Sequence, residues 1–322
     1  MSRLPLRGFA FVGTPAAIGG MPFSLATDVV LRSATDRERR RIKRYLGGLG
    51  GQMRNCEPFE YDYSETEMSS PKEEGPPIFL VERKRRPAGQ WRYHVVYVEH
   101  CSYSEPFGMP VEFSRIRIAA QLIRVPLRIG PFFLPQWNTG DFTSDWEHFT
   151  DSAPYGDAAV AIDRKILEDF REKYTLLGSV SKSHWEIGHS AKLYGDLPDR
   201  KGHNELNTLG LFSVLESLLT HSPRGELDSI GQQIRKKVAL VEKRLSMPLD
   251  YSEFGEAPHD TLWSKLYELR SRIAHGSPVE FAKGLVLLRD SYAVEQFLRA
   301  SLRSLLRGAL EEPQLFVDLK AI

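Results

Sequence analysis

Hydrophobic and polar positions change rhythm once along this chain. Before about residue 150, short β-branched and aromatic runs recur between Gly and Pro punctuation with little helical period. That pattern predicts strands at Phe23–Leu31, Ile78–Val81, Tyr93–Val98, Ile116–Val125 and Phe132–Leu134. One helix interrupts them: Thr35 or Asp36 caps a segment through Arg39, Ile42 and Tyr45 to Leu46, and Gly47 and Gly48 stop it. Between Asn55 and Pro76 lie seven acidic residues, Pro71 and the start of Gly75-Pro76-Pro77, too polar and broken to bury much apolar surface. A long mobile loop is expected there. Pro135 to Asp157 reads as a connection, packed down by Trp137 and Trp146.

From Ala158 onward the apolar positions recur at three and four residues, and the segments are long enough for amphipathic helices. Helices are expected at Ala159–Leu177, Asn204–Leu219, Leu227–Leu245, Thr261–His275 and Val286–Leu310. No repeat of solenoid period is present. The fold class is therefore α+β, with a β-rich α+β domain over residues 1–154 and an all-α helical domain over residues 155–322.

Composition narrows the classes without choosing among them. The chain has 322 residues, 41% hydrophobic and 26% charged, which excludes disorder, collagen and coiled coil. Its 43 basic and 42 acidic residues give a net charge of +1, so any nucleic-acid binding must be local. No apolar run approaches the roughly 18 residues of a membrane span, and the N-terminus lacks a signal-type apolar core. A cytoplasmic protein with no membrane partner is expected. Cys56 and Cys101 can form at most one bridge, so disulfides are not expected to hold the fold.

The richest chemistry lies in Asp260-Thr-Leu-Trp-Ser-Lys-Leu-Tyr-Glu-Leu-Arg-Ser-Arg-Ile-Ala-His275-Gly-Ser-Pro278. Leu262, Leu266, Leu269 and Ile273 make one apolar stripe, Asp260 or Thr261 caps the start, and Gly276 and Pro278 end the helix just after His275. Arg270, Arg272 and His275 thus share a helix end. Arg presents a permanently charged planar fork suited to phosphate, and His exchanges a proton near neutral pH. In RNA the 2′-hydroxyl is an internal nucleophile, so a base and a cation at the phosphorane suffice without a metal or cofactor, leaving a 2′,3′-cyclic phosphate. Five residues of ideal helix rotate about 500°, which sets Arg270 and His275 roughly 140° apart. One helix would then supply half of a convergent site, and two helices related by a dyad would complete it.

Tyr267-Glu-Leu-Arg-Ser-Arg-Ile-Ala-His-Gly-Ser277 resembles the signature of the HEPN superfamily, whose nuclease members carry Arg, four to six residues, then His on a helix. The closer likeness is to the ApeA-like branch, in which a helix like Leu211-Phe-Ser-Val-Leu-Glu-Ser-Leu-Leu219 precedes a motif helix of the form Tyr-x-Leu-Arg-Ser-x-Ile-x-His-Gly. The resemblance covers roughly residues 158 to 310. It implies a helical endoribonuclease whose composite site forms at a homodimer interface, with Arg270 and His275 catalytic and an antiphage role by abortive infection. Many HEPN nucleases place Asn, Asp or His directly after the arginine, where this chain has Ser271.

Supporting roles follow from position. Arg272 is a second candidate phosphate ligand, Tyr267 a packing residue with its hydroxyl at the interface, and Glu216 a carboxylate able to orient Arg270 or to form a structural salt bridge. The competing reading makes Arg270 an ordinary salt-bridging residue and His275 a cap on the helix dipole. Arg299, Arg303 and Arg307, four apart, are the RNA-track candidate of the final helix. Arg37–Arg44 and Glu82–Arg86 are basic clusters that either grip phosphates or are solvated surface.

Metal readings are weaker. Glu82-x-Lys84 has the look of a metal-nuclease half-motif without its upstream Pro-Asp pair, and His94, His100 and Cys101 form a zinc site only if they converge. Asp141, Asp145, Glu147, His148 and Asp151 read as turn and capping residues. No metal is assigned. Three functions remain: a metal-independent HEPN endoribonuclease whose first 154 residues sense a phage-derived trigger; a noncatalytic HEPN dimerisation or RNA-binding module; and a Glu-x-Lys metal nuclease.

Overall fold

The structure is a computed structural model. It describes residues 6–13, 18–49, 63–70, 78–85, 92–102, 109–125, 127–134, 161–197, 205–224, 228–255 and 257–322, with the backbone alone at 6, 46–49, 63–70 and 78–85. The chain forms two compact units, one from residues 1–102 and 127–167, the other from 103–126 and 168–322.

The first unit is built on a five-stranded antiparallel sheet. Its strands are β1 (Leu6–Val12), β2 (Phe23–Ala26), β3 (Val29–Ser33), β6 (His94–Cys101) and β7 (Ile129–Phe133), in the order β2-β3-β6-β1-β7. The predicted strand Phe23–Leu31 is a hairpin that turns at Thr27-Asp28 and pairs Phe23 with Leu31. Alternation along β1 sends Phe9 and Phe11 to the face that α1 (Asp36–Leu49) covers, where Phe9 stacks on Phe133 at 4.8 Å and Ile42 is fully buried. Ala10 and Val12, on the opposite face, are also fully buried.

The segment expected as a loop contains a strand. β4 (Tyr63–Ser70) pairs antiparallel with β5 (Ile78–Arg85), residue for residue, in a separate two-stranded sheet. Its sequence, YSETEMSS, has no apolar alternation from which a strand is read.

Helix α1 starts with a reciprocal cap. The Thr35 backbone N–H donates to Glu38 Oε2 at 2.7 Å, and the Glu38 N–H reaches back to Thr35 Oγ1 at 3.4 Å, so two groups orphaned at a helix start are satisfied together. Arg32, on β3, grips both oxygens of the same carboxylate at 2.7 and 2.8 Å. Burial pushes the Glu38 carboxyl up, but the bonds from Arg32 and Thr35 outweigh it and hold the group below its ordinary value.

The second unit is helical: α2 (Val111–Leu122), α3 (Arg164–Ser183, which begins at the edge of the first unit), α4 (Trp185–Asp196), α5 (Glu205–Leu219), α6 (Ile230–Val241), α7 (His259–Ala274), α8 (Ser291–Glu311) and α9 (Pro313–Ala321). The predicted strand Ile116–Val125 is instead the body of α2. Phe113, Ile116, Ile118, Ala119, Ala120 and Leu122 are all buried there, and an apolar run buried on several sides loses the period that separates helix from strand. The predicted helix Val286–Leu310 is divided: Arg289 takes φ +60° and Asp290 caps α8 through the Ala293 N–H at 2.8 Å. Helices α4 and α9 were not foreseen.

The long helices are tied by ion pairs whose cations are buried. Arg307 on α8 donates to the Leu122 carbonyl and to Asp169 Oδ2, both at 2.9 Å, and Lys173 on α3 reaches Glu311 at 2.6 Å while being 1% exposed. Charges at such depth persist only when fully paired. Among the described residues, no helix is long and apolar enough to cross a membrane.

Replacing Glu38 with Ala removes both the cap and the Arg32 partner, and should lower stability by about 1–3 kcal/mol in urea unfolding of the full chain. The folded pKa lies below the unfolded one, so this contribution is present at neutral pH and lost as pH falls through the folded value. The wild-type advantage should therefore narrow in acid; an advantage unchanged from neutral pH down to well below the carboxylate range would contradict the assignment.

Candidate functional site

Helix α7 takes the predicted form. Leu262, Leu266 and Leu269 are buried with Trp263, Ile273 is half-buried, and the N-cap is Pro258, two to three residues earlier than expected. At the other end His275 is the C-cap, Gly276 takes φ +66°, the Ser277 N–H bonds the Arg272 carbonyl at 2.8 Å and the Gly276 N–H bonds Ile273 at 3.1 Å. This paired closure needs a left-handed residue, which Gly supplies without strain. It leaves Ala274 through Pro278 exposed, with the His275 imidazole among them.

Arg270 and Glu216 come together across α5 and α7. Arg270 Nε donates to Glu216 Oε1 at 2.9 Å and Nη2 to Oε2 at 3.2 Å, a two-point clamp between half-buried side chains. The guanidinium lies 5.7 Å from the Tyr267 ring centre. Tyr267 meets Phe212 edge-on at 6.5 Å and lies against Gly231 of α6, where an added Cβ would sit 2.7 Å from the ring. Burial pushes the Tyr267 hydroxyl pKa up, Glu216 adds to the rise and Arg270 opposes it.

The clamp leaves the arginine chemically competent. A guanidinium has five N–H donors, and Glu216 engages one on Nε and one on Nη2. Three remain, on a group whose direction is fixed. No hydrogen bond or ring contact joins Arg270 to His275 within the chain, although five positions separate them on one helix end.

The other expected residues lie as follows. Ser271 contributes its carbonyl to the His275 N–H at 3.0 Å. Arg272 is committed to Glu268 one turn back, at 3.1 and 2.5 Å, and Lys265 bonds the other oxygen. The proposed RNA track on α8 is not a surface: Arg299 and Arg307 are 9% and 4% exposed, Arg299 is clamped by Glu295, and Arg307 is held as described above. Arg303, between them, is half-buried. Spacing of four places residues on one face but does not say which way the face points.

The first unit holds no converging metal set among the described residues. His94 is buried at the start of β6 and His100 exposed near its end, six residues or about 20 Å of strand apart. Glu82 and Lys84 lie on β5 opposite Thr66 and Ser64, and their side chains, like the cluster Asp141 to Asp151, fall outside the described residues. On α1, Arg41 donates to the Leu134 carbonyl at 2.9 Å and Lys43 lies over Tyr93, while Arg37, Arg40 and Arg44 are exposed.

A polar chain formed by His221 after α5, Asp228 before α6 and Lys237 on α6 had no sequence signal. His221 Nε2 meets Asp228 at 3.1 Å, and its Nδ1 faces the Lys237 ammonium at 3.2 Å. Only the return of the chain between the two helices brings these three residues together.

A double-mutant cycle of Glu216→Gln and Arg270→Gln should give a coupling energy of about 1 kcal/mol in urea unfolding, between the values typical of exposed and buried pairs. Additive effects would show that the clamp is not held in solution. No family model matches this chain, and no curated protein or solved structure matches it either, so its functional reading rests on its own residues.

Proposed function

We propose that the helical unit is a metal-independent endoribonuclease of the HEPN type, acting on RNA by attack of the 2′-hydroxyl. The observation that carries this reading is the Glu216–Arg270 clamp, which fixes a phosphate-binding fork and spares three of its donors, on the helix whose exposed end presents His275. In the proposed reaction His275 takes the 2′-hydroxyl proton, Arg270 stabilises the negative charge that grows on the phosphorane, and the 5′-oxygen leaves with a 2′,3′-cyclic phosphate behind it. Protonation of that leaving oxygen falls to a second His275 or to water.

Two copies of the chain are proposed to meet through the exposed ends of α7, so that arginine and histidine converge across a dyad. The first unit is proposed to restrain the nuclease until a trigger, phage-derived in an antiphage setting, shifts the population toward the cleaving arrangement. The second reading is a noncatalytic HEPN module, and the same clamp is the observation in its favour, because a paired arginine also serves a purely structural end.

RNA cleavage in EDTA separates the two. His275→Ala should lose roughly 10²–10⁴-fold in rate with unchanged stability, since the ring is exposed. Arg270→Lys should also be impaired, because a point charge does not reproduce the fork. Equal RNase activity in His275→Ala and wild type sinks the nuclease reading. If Arg270→Lys is fully active and Arg272→Ala is dead, the arginine is misassigned. Mixing Arg270→Ala and His275→Ala chains should restore activity at mixed sites, and no rescue despite verified subunit exchange would exclude a site shared between chains.

A further inference from the structure

A cavity of about 250 Å³ lies in the helical unit between the start of α4, the end of α5, α9 and the turn after α5. Ile187, Leu218, Phe316 and Val317 form an apolar interior. Arg224 and Lys320 line it with His221, and Glu186 is its one acidic lining residue.

The charges here are unbalanced. Lys320 Nζ donates to the Ser217 carbonyl at 2.8 Å, and among the described residues neither Lys320 nor the Arg224 guanidinium has a carboxylate within ion-pair distance. Asp228 is nearby, but it accepts from the Arg224 backbone N–H at 2.8 Å and from His221 Nε2. Behind His221 sits Lys237, 4% exposed. Burial holds the Lys237 ammonium below its ordinary value; the Asp228 carboxylate opposes the shift, and the positive charges of Arg224 and Lys320 add to it. Arg224 and Lys320 thus line one apolar hollow with no carboxylate at ion-pair distance among the described residues, an arrangement that an added anion would complete.

We propose that this cavity binds a small organic anion, a carboxylate or phosphate head on a compact apolar body. The head meets Arg224 and Lys320, and the body lies on Ile187, Leu218 and Phe316. The volume falls just under the range of about 300–1,000 Å³ typical of drug-sized ligands, which restricts the body to about one ring. Glu186 disfavours a second anionic group on the same ligand. The site is separate from the Arg270–His275 constellation and does not depend on the nuclease reading.

Titration calorimetry of the full chain at low salt tests this with phenyl phosphate, benzoate, phenol and inorganic phosphate. Phenyl phosphate or benzoate should bind at micromolar to millimolar concentration, and the stronger of the two identifies the head group. Phenol, which has the body without the charge, should not bind measurably, and inorganic phosphate should bind about tenfold more weakly than phenyl phosphate if the phosphate head is the preferred one. Arg224→Gln and Lys320→Gln should each weaken the better anion about tenfold, with far-ultraviolet circular dichroism and melting temperature unchanged. Two results overturn the proposal: neither organic anion binding at millimolar concentration, or undiminished binding by an Arg224→Gln/Lys320→Gln chain that melts like wild type. Inorganic phosphate binding as tightly as both organic anions would overturn the apolar half of the site.

Discussion

The helical unit depends on burying α5. Leu211, Phe212, Val214, Leu215, Leu218 and Leu219 are all buried along that helix, and α4, α6, α7, α8 and α9 all pack against it. A helix so enclosed is affordable only if its few charges find partners. Glu205 sits in the first turn, near the helix start, and Glu216 sits three turns in, where it faces α7. The requirement to satisfy Glu216 and the placement of Arg270 are therefore one constraint seen from two helices. Gly231 serves the same end from α6, because any side chain there would displace the Tyr267 ring beside the guanidinium.

The parts of this fold legible in the sequence are those whose burial is one-sided. Helix α7 shows an apolar stripe and a Gly-terminated end, and α1 shows Thr35 three residues before Glu38, so both elements are readable from local pattern. Helix α2 is buried on several sides and mimics a strand, while β4 is so polar that it mimics a loop. Reading fails in opposite directions at the two extremes of burial, for the same reason: periodicity needs contrast between faces.

The site divides in the same way. That Arg270, Arg272 and His275 share one helix end was readable from the local pattern, the choice of Arg270 among them rested on the family resemblance, and Glu216 stood out as a carboxylate on an otherwise apolar helix. Orientation was not legible. Arg299 and Arg307 repeat at four like a surface stripe, yet Asp169, Glu295 and the Leu122 carbonyl turn them into interior ties, and these partners lie on α3, on α8 and on α2. The His221–Asp228–Lys237 chain has no one-dimensional trace because its members meet only after α5 and α6 have folded side by side.

The placement of α2 has a consequence for how such a chain can be cut or inherited. Residues 103–126 belong with the helices, whereas residues before and after them, through 167, belong with the sheet, so the backbone passes from one unit to the other three times. No single cleavage point yields two whole units. A fragment starting near residue 155 would lack the Leu122 carbonyl, leaving the buried Arg307 guanidinium to Asp169 and Glu311 alone, and would lack the Arg117 that pairs with the exposed Asp196. Exchange of the C-terminal segment alone would leave residues 103–126 of the helical unit behind with the sheet.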